Sequence, residues 1–510
     1  MRVAIIGSGF GGLAAAVRLA GAGHSVDLFE KRDRIGGRAY QYEIGGFRFD
    51  GGPTVLSAPF MFDELFAVAG ERLADHVDLI PLDPFYRVFG ADGRIFDYRA
   101  DRHDFLHEVS RCSPSDEAGV EALTHRISGI FDVFYPYTER SMMRLSAMLA
   151  MLPFMVRHRA MTGVSRTVNS NVRDPFLRQA LSFHPLLVGG RPSTTPALYS
   201  LIVEFERRWG VHYARGGTGA LVAAIGDLFE RLGGRIHLEA DVDSITVSDG
   251  RATGVRFADG SEHRADVVVS NADPGHTYGH LLRATRRVWE HDGRQRLRQP
   301  SMSLHVLYLG ADRQWPESPL LHHNILLPRE PRESLARVFG RRRAPATDIA
   351  KDPFMYVHVP TRTDPTVAPP GHESMYVLVA APPLPRADAG DPEATALEAS
   401  VVRETVLDTL EDGYLPGLRD HVVVEHAIGP EHFRDVLNTP RGAGFSLRPT
   451  LMQSGWFRPH NRSQDVAGLY LVGAGTHPGA GVPAVLASGK IAAALIGDAS
   501  PVPSRAASTS

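Results

Sequence analysis

Apolar positions change period twice in the first thirty residues. "RVAII" is a continuous apolar run, the pattern of a buried strand. Gly11 to Ala22 carries small residues at helical spacing and stops before Gly23, and "SVDLFE" is a second buried run ending in an acid. This order predicts a βαβ unit. Farther on, Pro59 to Ala69 reads as a helix, and "FYRVFGADGRIFDY" (Phe85 to Tyr98) reads as a hairpin turned at Ala91-Asp92-Gly93. From about Asp101 to Trp209 the pattern is mostly helical. Alternating α/β character returns at Thr218: "TGALVAAIGDLFERLGG" is a helix ended by Gly233 and Gly234, followed by strands in "RIHLEA", "VDSITVSDGRATGVRFADG" and "ADVVVSNA". "SLHVLYLG", "FMYVHV" and "MYVLVA" are apolar strands between about Ser301 and Ala381, and the arginine- and proline-rich stretch Arg329 to Pro345 reads as an exposed loop. A helix near Glu393 to Asp412 precedes the strand "LYLVGA", a glycine loop and a helix from Pro483 to Ile496; "DASPVPSRAASTS" reads as a disordered tail.

At 510 residues the chain exceeds what one core holds, so two or three lobes are expected. The net charge of −3 gives no basic excess for nucleic acid. The single cysteine, Cys112, excludes an internal disulfide and a thiolate metal cluster. No secretory leader is expected, since a strand and a glycine-rich turn follow Arg2 at once. The longest apolar run, Leu145 to Val156, would make a helix about 18 Å long, too short to span a ~30 Å hydrocarbon layer.

"GSGFGG" sets Gly7, Gly9 and Gly12 in a GxGxxG pattern between strand and helix, with Phe10 and Gly11 inside it. Such glycines allow a tight turn, close approach of backbone to a pyrophosphate, and close packing of helix on strand. The uncapped helix start supplies N–H groups and partial positive charge to the phosphates. Glu30 ends the second strand, where its carboxylate can accept both ribose hydroxyls of an adenosine. This much fits NAD or FAD. The following loop, "RDRIGGRAY", puts Gly36, Gly37 and Arg38 beside the first site and suits a longer ligand with a flavin beyond the pyrophosphate. "FDGGPTV", with Gly52, Pro53 and Thr54, is a further turn that would let backbone lie against a flat ring.

"GSGFGGLAAAVRLAGAGHSVDLFEKRDRIGGRAY" resembles the opening of FAD-dependent carotenoid desaturases, within the wider amine-oxidase-like flavoproteins. "FRFDGGPTV", "LRQALSFHPLLVGG", "RWGVHYARGGTGALV", "VVSNAD", "WFRPHNR" and "LYLVGAGTHPGAGVPAVLASGK" resemble the bacterial phytoene desaturase branch, in order along nearly the whole chain. The resemblance implies an α/β fold: a Rossmann-like FAD-binding domain of discontinuous segments (1–76, 212–285 and 440–497), a mixed-sheet substrate domain (77–100 and 286–439), and a helical, membrane-associating subdomain (101–211), with 498–510 as the tail. It implies bound FAD, a linear carotene substrate such as phytoene, a cytoplasmic protein attached to a membrane surface, and oxygen or a quinone as electron acceptor; oligomerisation is left open. Lys31 joins the nucleotide residues, Val242 would hold the adenine through its backbone, and Asn271 sits on the nucleotide side. Gly475 would lie near the phosphates or ribityl chain and Val482 against the flavin. Ala484 departs from the usual Gly-[Ile/Val]-Pro-Gly, and some relatives carry an Arg-Asp pair about where Ser146 and Ala147 stand, so no acid or base is assigned there.

"SFHPLLVGG" raises a separate question, because a histidine and a proline interrupt an apolar run. A long hydrocarbon needs an apolar tunnel. Phe183 and Leu187 would wall it, Gly189 and Gly190 would leave room for the chain, and His184 would cap or orient the wall; the other reading is an irregular core segment with a hydrogen-bonded histidine. Trp209 is a second wall or a core residue. His477 is the polar candidate near the ring, either chemical or fixing the glycine loop. "RLSAMLAMLPFMVRHR", flanked by Arg140, Arg144, Arg157 and Arg159, is the candidate membrane entrance, or a core helix. The leading function is desaturation of phytoene towards lycopene. The alternatives are a related oxidoreductase acting on a later carotenoid, a flavin-free prenyl-lipid escort, and an amine oxidase.

Overall fold

The computed structural model describes residues 1–340, 343–386 and 392–498, so almost all of the expected tail lies outside the described residues. A five-stranded parallel sheet is ordered Leu469–Leu471, Val267–Ser270, Arg2–Ile6, Ser25–Phe29, Arg235–His237, drawing on the start, middle and end of the chain. Both faces are covered, as continuous apolar strands require. Val3, Ile5, Val26, Leu28, Val267 and Val269 pack under the helices Phe10–Gly21, Thr218–Arg231 and Val482–Ile496. Ala4, Ile6, Phe29, Val268, Leu469 and Leu471 face a three-stranded antiparallel sheet, Val242–Ser248, Arg251–Phe257 and Glu262–Arg264.

The first and last helices approach through small residues. A Cβ added to Gly489 would lie 2.8 Å from Ala14 Cβ and 3.0 Å from the Gly11 carbonyl oxygen. At Gly12 a Cβ would meet the Gly7 carbonyl oxygen at 2.1 Å, which locks helix to turn. The small residues of the first helix are therefore a packing requirement, and they bring two helix N-termini to one place.

A seven-stranded mixed sheet is ordered Val422–Ile428, Ser303–Ala311, Glu373–Ala381, Met355–His358, His323–Leu326, Tyr86–Phe89, Ile95–Tyr98. Only His323–Leu326 with Tyr86–Phe89 is parallel. Period two splits its faces. Leu307, Leu309, Met375, Val377 and Val379 pack under the helix Pro392–Gly413. Leu304, Val306, Tyr376 and Ala380 face the first lobe. The helices Arg102–Cys112, Glu117–Thr138, Leu145–Arg157 and Leu201–Trp209 form most of a third, helical region.

Two sequence readings change. Arg329 to Pro345 is not simply a loop, since Pro331–Phe339 is a helix. Leu335, Val338 and Phe339 make an apolar stripe at helical spacing beneath its charged residues, and Pro331 is tolerated in the first turn. Val422–Ile428, unread from the sequence, is an edge strand with alternating exposure.

The hairpin Gln41–Ile44 with Phe47–Asp50 ties the first segment to the middle one. Asp50 is buried and accepts hydrogen bonds from Gln41 Nε2 at 3.3 Å and from the Thr218 and Gly219 backbone at a helix start. Gly217, at φ +88°, is required there, since its Cβ would fall 2.6 Å from Asp50 Oδ1. Burial outweighs these donors and raises the Asp50 carboxyl to about 6 from its ordinary 3.8. Between those values the folded chain keeps a proton that the unfolded chain releases, so this group's contribution to stability falls as pH rises through that window. Asp50→Asn keeps an acceptor and removes the titration. Its melting temperature relative to the native chain is expected to rise between about pH 4 and pH 7; a difference independent of pH would contradict the assignment.

Candidate active site

A cavity of about 510 Å³ lies where the first and last helices meet the second sheet. One end is built from Gly7, Gly9, Phe10, Gly11, Glu30, Lys31, Gly37, Arg38, Gly52, Pro53, Thr54, Val242, Asn271 and Val482, residues brought together from the three αβ segments. Gly9 and Gly481 precede the first and last helices, and neither start is capped by a side chain. Both sets of unpaired N–H groups open on this cavity and favour a bound anion. Gly7, at φ +90°, makes the turn. Glu30 Oε2 accepts from the Ser8 backbone at 2.9 Å and Ser8 Oγ at 2.6 Å, and Oε1 from the Arg32 backbone at 3.1 Å, leaving lone pairs for a diol. Lys31 Nζ reaches Asn438 Oδ1 at 3.1 Å, and Asn271 Nδ2 donates to the Gly7 carbonyl at 3.3 Å.

Arg38 tests whether a dinucleotide fits. Its Nε donates to the Gly444 carbonyl at 2.8 Å, while Nη2 is buried with no protein partner. A half-buried guanidinium with a buried, free donor and no ion pair calls for an anion, and the helix starts beside it call for the same. FAD, with a pyrophosphate between a ribose and a flavin, matches this donor set.

The glycine loop 473–481 is fastened from below by Arg458, 1% exposed. Its guanidinium donates to the carbonyls of Ala474 at 2.6 Å, Thr476 at 2.9 Å and Gln453 at 3.1 Å. His477 lines the cavity, but its Nε2 lies 3.0 and 3.2 Å from the Arg140 and Tyr137 carbonyls. Burial lowers its pKa to about 4, so the neutral ring donates from Nε2. That geometry fastens the loop to the helical region and leaves Nδ1 without a partner.

The other end is mainly apolar. Leu304, Val306, Leu378 and Ala380 come from the second sheet, and Phe183, Leu186, Leu187 and Val188 from the stretch that interrupted its own pattern. Met142 and Met151 complete the wall towards the helical region.

Several assigned residues lie elsewhere. His184 is not in the cavity wall; it sits behind it, 2% exposed, with Nε2 3.1 Å from Glu206 Oε2, and Tyr86 donates to Glu206 Oε1 at 2.6 Å. A buried carboxylate needs such partners, which explains the histidine in "SFHPLLVGG". Gly189 and Gly190 do not open a passage: a Cβ there would strike Phe445 and Ser301 at 2.8 Å, or Thr195 Oγ1 at 2.3 Å. Trp209 packs among Phe60, Phe131 and Phe205 at ring distances of 4.7 to 5.8 Å, away from the cavity. Gly475 does not line the cavity either; a Cβ would meet Pro274 Cδ at 2.2 Å, so it serves close packing. Sequence reasoning passed over Arg458, Glu206 and the cluster of Tyr356, Tyr376 and His323 that Thr54 joins. The adjacent pair His322-His323 in an apolar stretch was the available signal.

The family of flavin-containing amine oxidoreductases matches residues 10–497. The phytoene desaturase (lycopene-forming) of Pseudescherichia vulneris is 41% identical over 502 residues, covering 97% of this chain and 99% of that protein. The phytoene desaturase (neurosporene-forming) of Rhodobacter capsulatus is 40% identical, covering 98% of this chain and 94% of its own. Among solved structures, an oxidoreductase from Methanosarcina mazei superposes with a TM-score of 0.64 at 22% identity, over 97% of this chain and all of that one. A putrescine oxidase variant gives 0.61 at 16% identity, over 97% of this chain and 98% of that one. A cavity joining a nucleotide cradle to an apolar chamber, on a fold shared along nearly the full length, places this chain in the flavin-containing amine oxidoreductase family, among the FAD-dependent carotenoid desaturases.

Proposed function

We propose that the chain is a FAD-dependent desaturase that converts phytoene towards lycopene. The observation that carries this is the continuity of the cavity, whose one end offers glycine turns, two helix starts and Arg38 while the other is lined mainly by aliphatic and aromatic side chains. FAD, when bound, supplies the two-electron acceptor for the hydride lost from one of two adjacent CH₂ groups. The chain's own residues do the rest. Arg38 and the start of Phe10–Gly21 would hold the pyrophosphate, and Glu30 the ribose. The start of Val482–Ile496 directs its partial positive charge at the site where negative charge accumulates. Leu304, Val306, Leu378 and Phe183 exclude water and select a hydrocarbon by shape, having no charge to recognise. Oxygen or a quinone would be the final electron acceptor.

The same reading requires a membrane surface. Moving a hydrocarbon of about forty carbons through water costs on the order of 30 kcal/mol at ~0.8 kcal/mol per carbon, far beyond what a binding site returns. Among the described residues no helix is long and apolar enough to cross a membrane. Leu145–Arg157 instead exposes Leu145, Leu149, Leu152, Phe154 and Val156, the last 59%, while Met151 on its inner face lines the cavity. Arg140, Arg144, Arg157 and Arg159 are exposed around it, where lipid phosphates would lie. The helix would lie in the headgroup zone and hand substrate from bilayer to cavity.

Incubating the FAD-loaded protein with phytoene in vesicles tests the activity. Chromatography is expected to show lycopene as the end product; neurosporene would mean an earlier stop, and unchanged phytoene would refute the proposal. Replacing Leu149 and Val156 together by Asp is expected to reduce flotation with anionic vesicles at least tenfold while FAD absorbance stays at its native level. Flotation equal to the native chain would remove this helix from the membrane contact.

A further inference from the structure

A second cavity, of about 330 Å³, lies where the loop after Val267–Ser270 meets the segments 295–300 and 440–447. The desaturation chemistry makes no use of it. Four arginines line it, Arg296, Arg298, Arg386 and Arg441, against one carboxylate, Asp273. Arg298 is neutralised by Glu290, 2.7 Å away. The other three form no ion pair among the described residues: Arg386 Nη2 donates to the Arg296 carbonyl at 2.5 Å, and Arg441 Nε to the Leu384 carbonyl at 2.6 Å. Burial and the guanidiniums of Arg386 and Arg343 lower the Arg441 pKa from its ordinary value. Like charges gathered this way repel unless an anion joins them. Ser446 adds a neutral donor, since it lines the cavity, is 3% exposed and leaves its Oγ without a hydrogen-bond partner. Arg441 and Ser446 also stand at φ +60° and +65°, a backbone conformation uncommon for residues with a Cβ and frequent where a ligand is clamped. Guanidiniums beside a buried hydroxyl are the donor set that recognises phosphate oxygens.

The surroundings say which phosphate. Leu297, between two of the lining arginines, is 82% exposed, and Val288 and Met452 are exposed nearby in the chain and across it. Gln453 ties this rim to Met452 and beyond: the Gln299 backbone donates to Gln453 Oε1 at 2.8 Å, and Gln453 Nε2 to the Gln299 carbonyl at 3.0 Å. The next turn, Gly455–Phe457, packs on the helix Leu145–Arg157, and Trp456 Nε1 donates to the Met143 carbonyl at 3.3 Å. Cationic pocket, bare aliphatic rim and the apolar helix are thus joined by a short run of contacts. A water-soluble phosphate would need the arginines but not the leucine and methionine; a lipid uses both.

We propose that this pocket binds the phosphate of an anionic phospholipid, giving the protein a headgroup-reading contact beside the helix Leu145–Arg157. The inference rests on the reading of that helix as the membrane contact. Arg296, Arg386, Arg441 and Ser446 hold the phosphate, and Leu297 and Met452 meet the acyl chains.

Titrating the FAD-loaded protein with dihexanoyl phosphatidylglycerol below its micelle concentration tests the pocket, with dihexanoyl phosphatidylcholine as the neutral match. The native protein is expected to bind the glycerol lipid saturably, at one site, about tenfold tighter than the choline lipid. Arg296→Gln with Arg386→Gln is expected to abolish that preference while FAD absorbance and melting temperature stay native. Arg157→Gln with Arg159→Gln removes the same charge beside the helix but outside the pocket, and is expected to keep the preference. No preference in the native protein, or an equal loss in both double variants, would overturn the proposal. So would glycerol 3-phosphate binding as tightly as the lipid, which would make the ligand a soluble phosphate. If the pocket variant fails to fold, Arg296→Gln alone decides, with about a fivefold loss expected. Flotation separates the two readings. A native protein that floats equally with phosphatidylcholine and phosphatidylglycerol vesicles refutes the pocket only, whereas one that floats with neither refutes the membrane reading and the pocket with it.

Discussion

The site depends on how closely two helices from opposite ends of the chain can approach. Gly489 meets the backbone of Gly11 and the side chain of Ala14 with no room for a Cβ. Only because of that contact do the starts of Phe10–Gly21 and Val482–Ile496 point into the same cavity. Two uncapped helix ends set side by side would be an electrostatic and hydrogen-bonding liability without an anionic ligand. Arg38 adds a third positive group whose Nη2 is a buried, free donor. Nucleotide affinity and fold closure are thus parts of one requirement, and the parallel sheet beneath holds its five strands from distant segments in register for that contact.

The apolar chamber is built by a different rule. The second sheet alternates its side chains between the helix Pro392–Gly413 and the cavity, so strand periodicity alone gives a hydrocarbon floor of Leu304, Val306, Leu378 and Ala380. Of the polar groups near it, His184 is withdrawn behind the wall, Glu206 reaches the wall held by His184 and Tyr86, and Thr54, Tyr356 and Tyr376 form a hydroxyl cluster that ends at His323. Arg458 and His477 hold the glycine loop rigid between the two environments. The chemistry therefore takes place at a boundary that the protein keeps dry on one side and cationic on the other.

Much of this was legible in the sequence. GxGxxG after an apolar run, Glu30 at the next strand end and the Gly36-Gly37-Arg38 turn carry their geometry locally, so spacing suffices to place them. The apolar run Leu145 to Val156 with its flanking arginines was also visible as a pattern. What local pattern could not give was which side of a wall a residue occupies. His184 and Leu187 stand three positions apart in a short helical turn, yet the first is bonded to a buried carboxylate and does not line the cavity while the second does. Gly189, Gly190 and Gly475 looked like space for a ligand but are filled by neighbouring chain, and Trp209 completes an aromatic cluster. The Thr54, Tyr356 and His323 chain joins residues some 300 positions apart, a relation that only tertiary structure reveals.

The central claim is that one continuous cavity holds cofactor and hydrocarbon together. A crystal structure of the FAD-loaded protein with phytoene bound tests it most directly. The account predicts density for the flavin between the start of Val482–Ile496 and Gly52–Thr54, with the hydrocarbon running on over Leu304, Val306 and Leu378. Hydrocarbon density in a compartment separated from the flavin, or a dinucleotide bound away from Arg38 and Glu30, would contradict it.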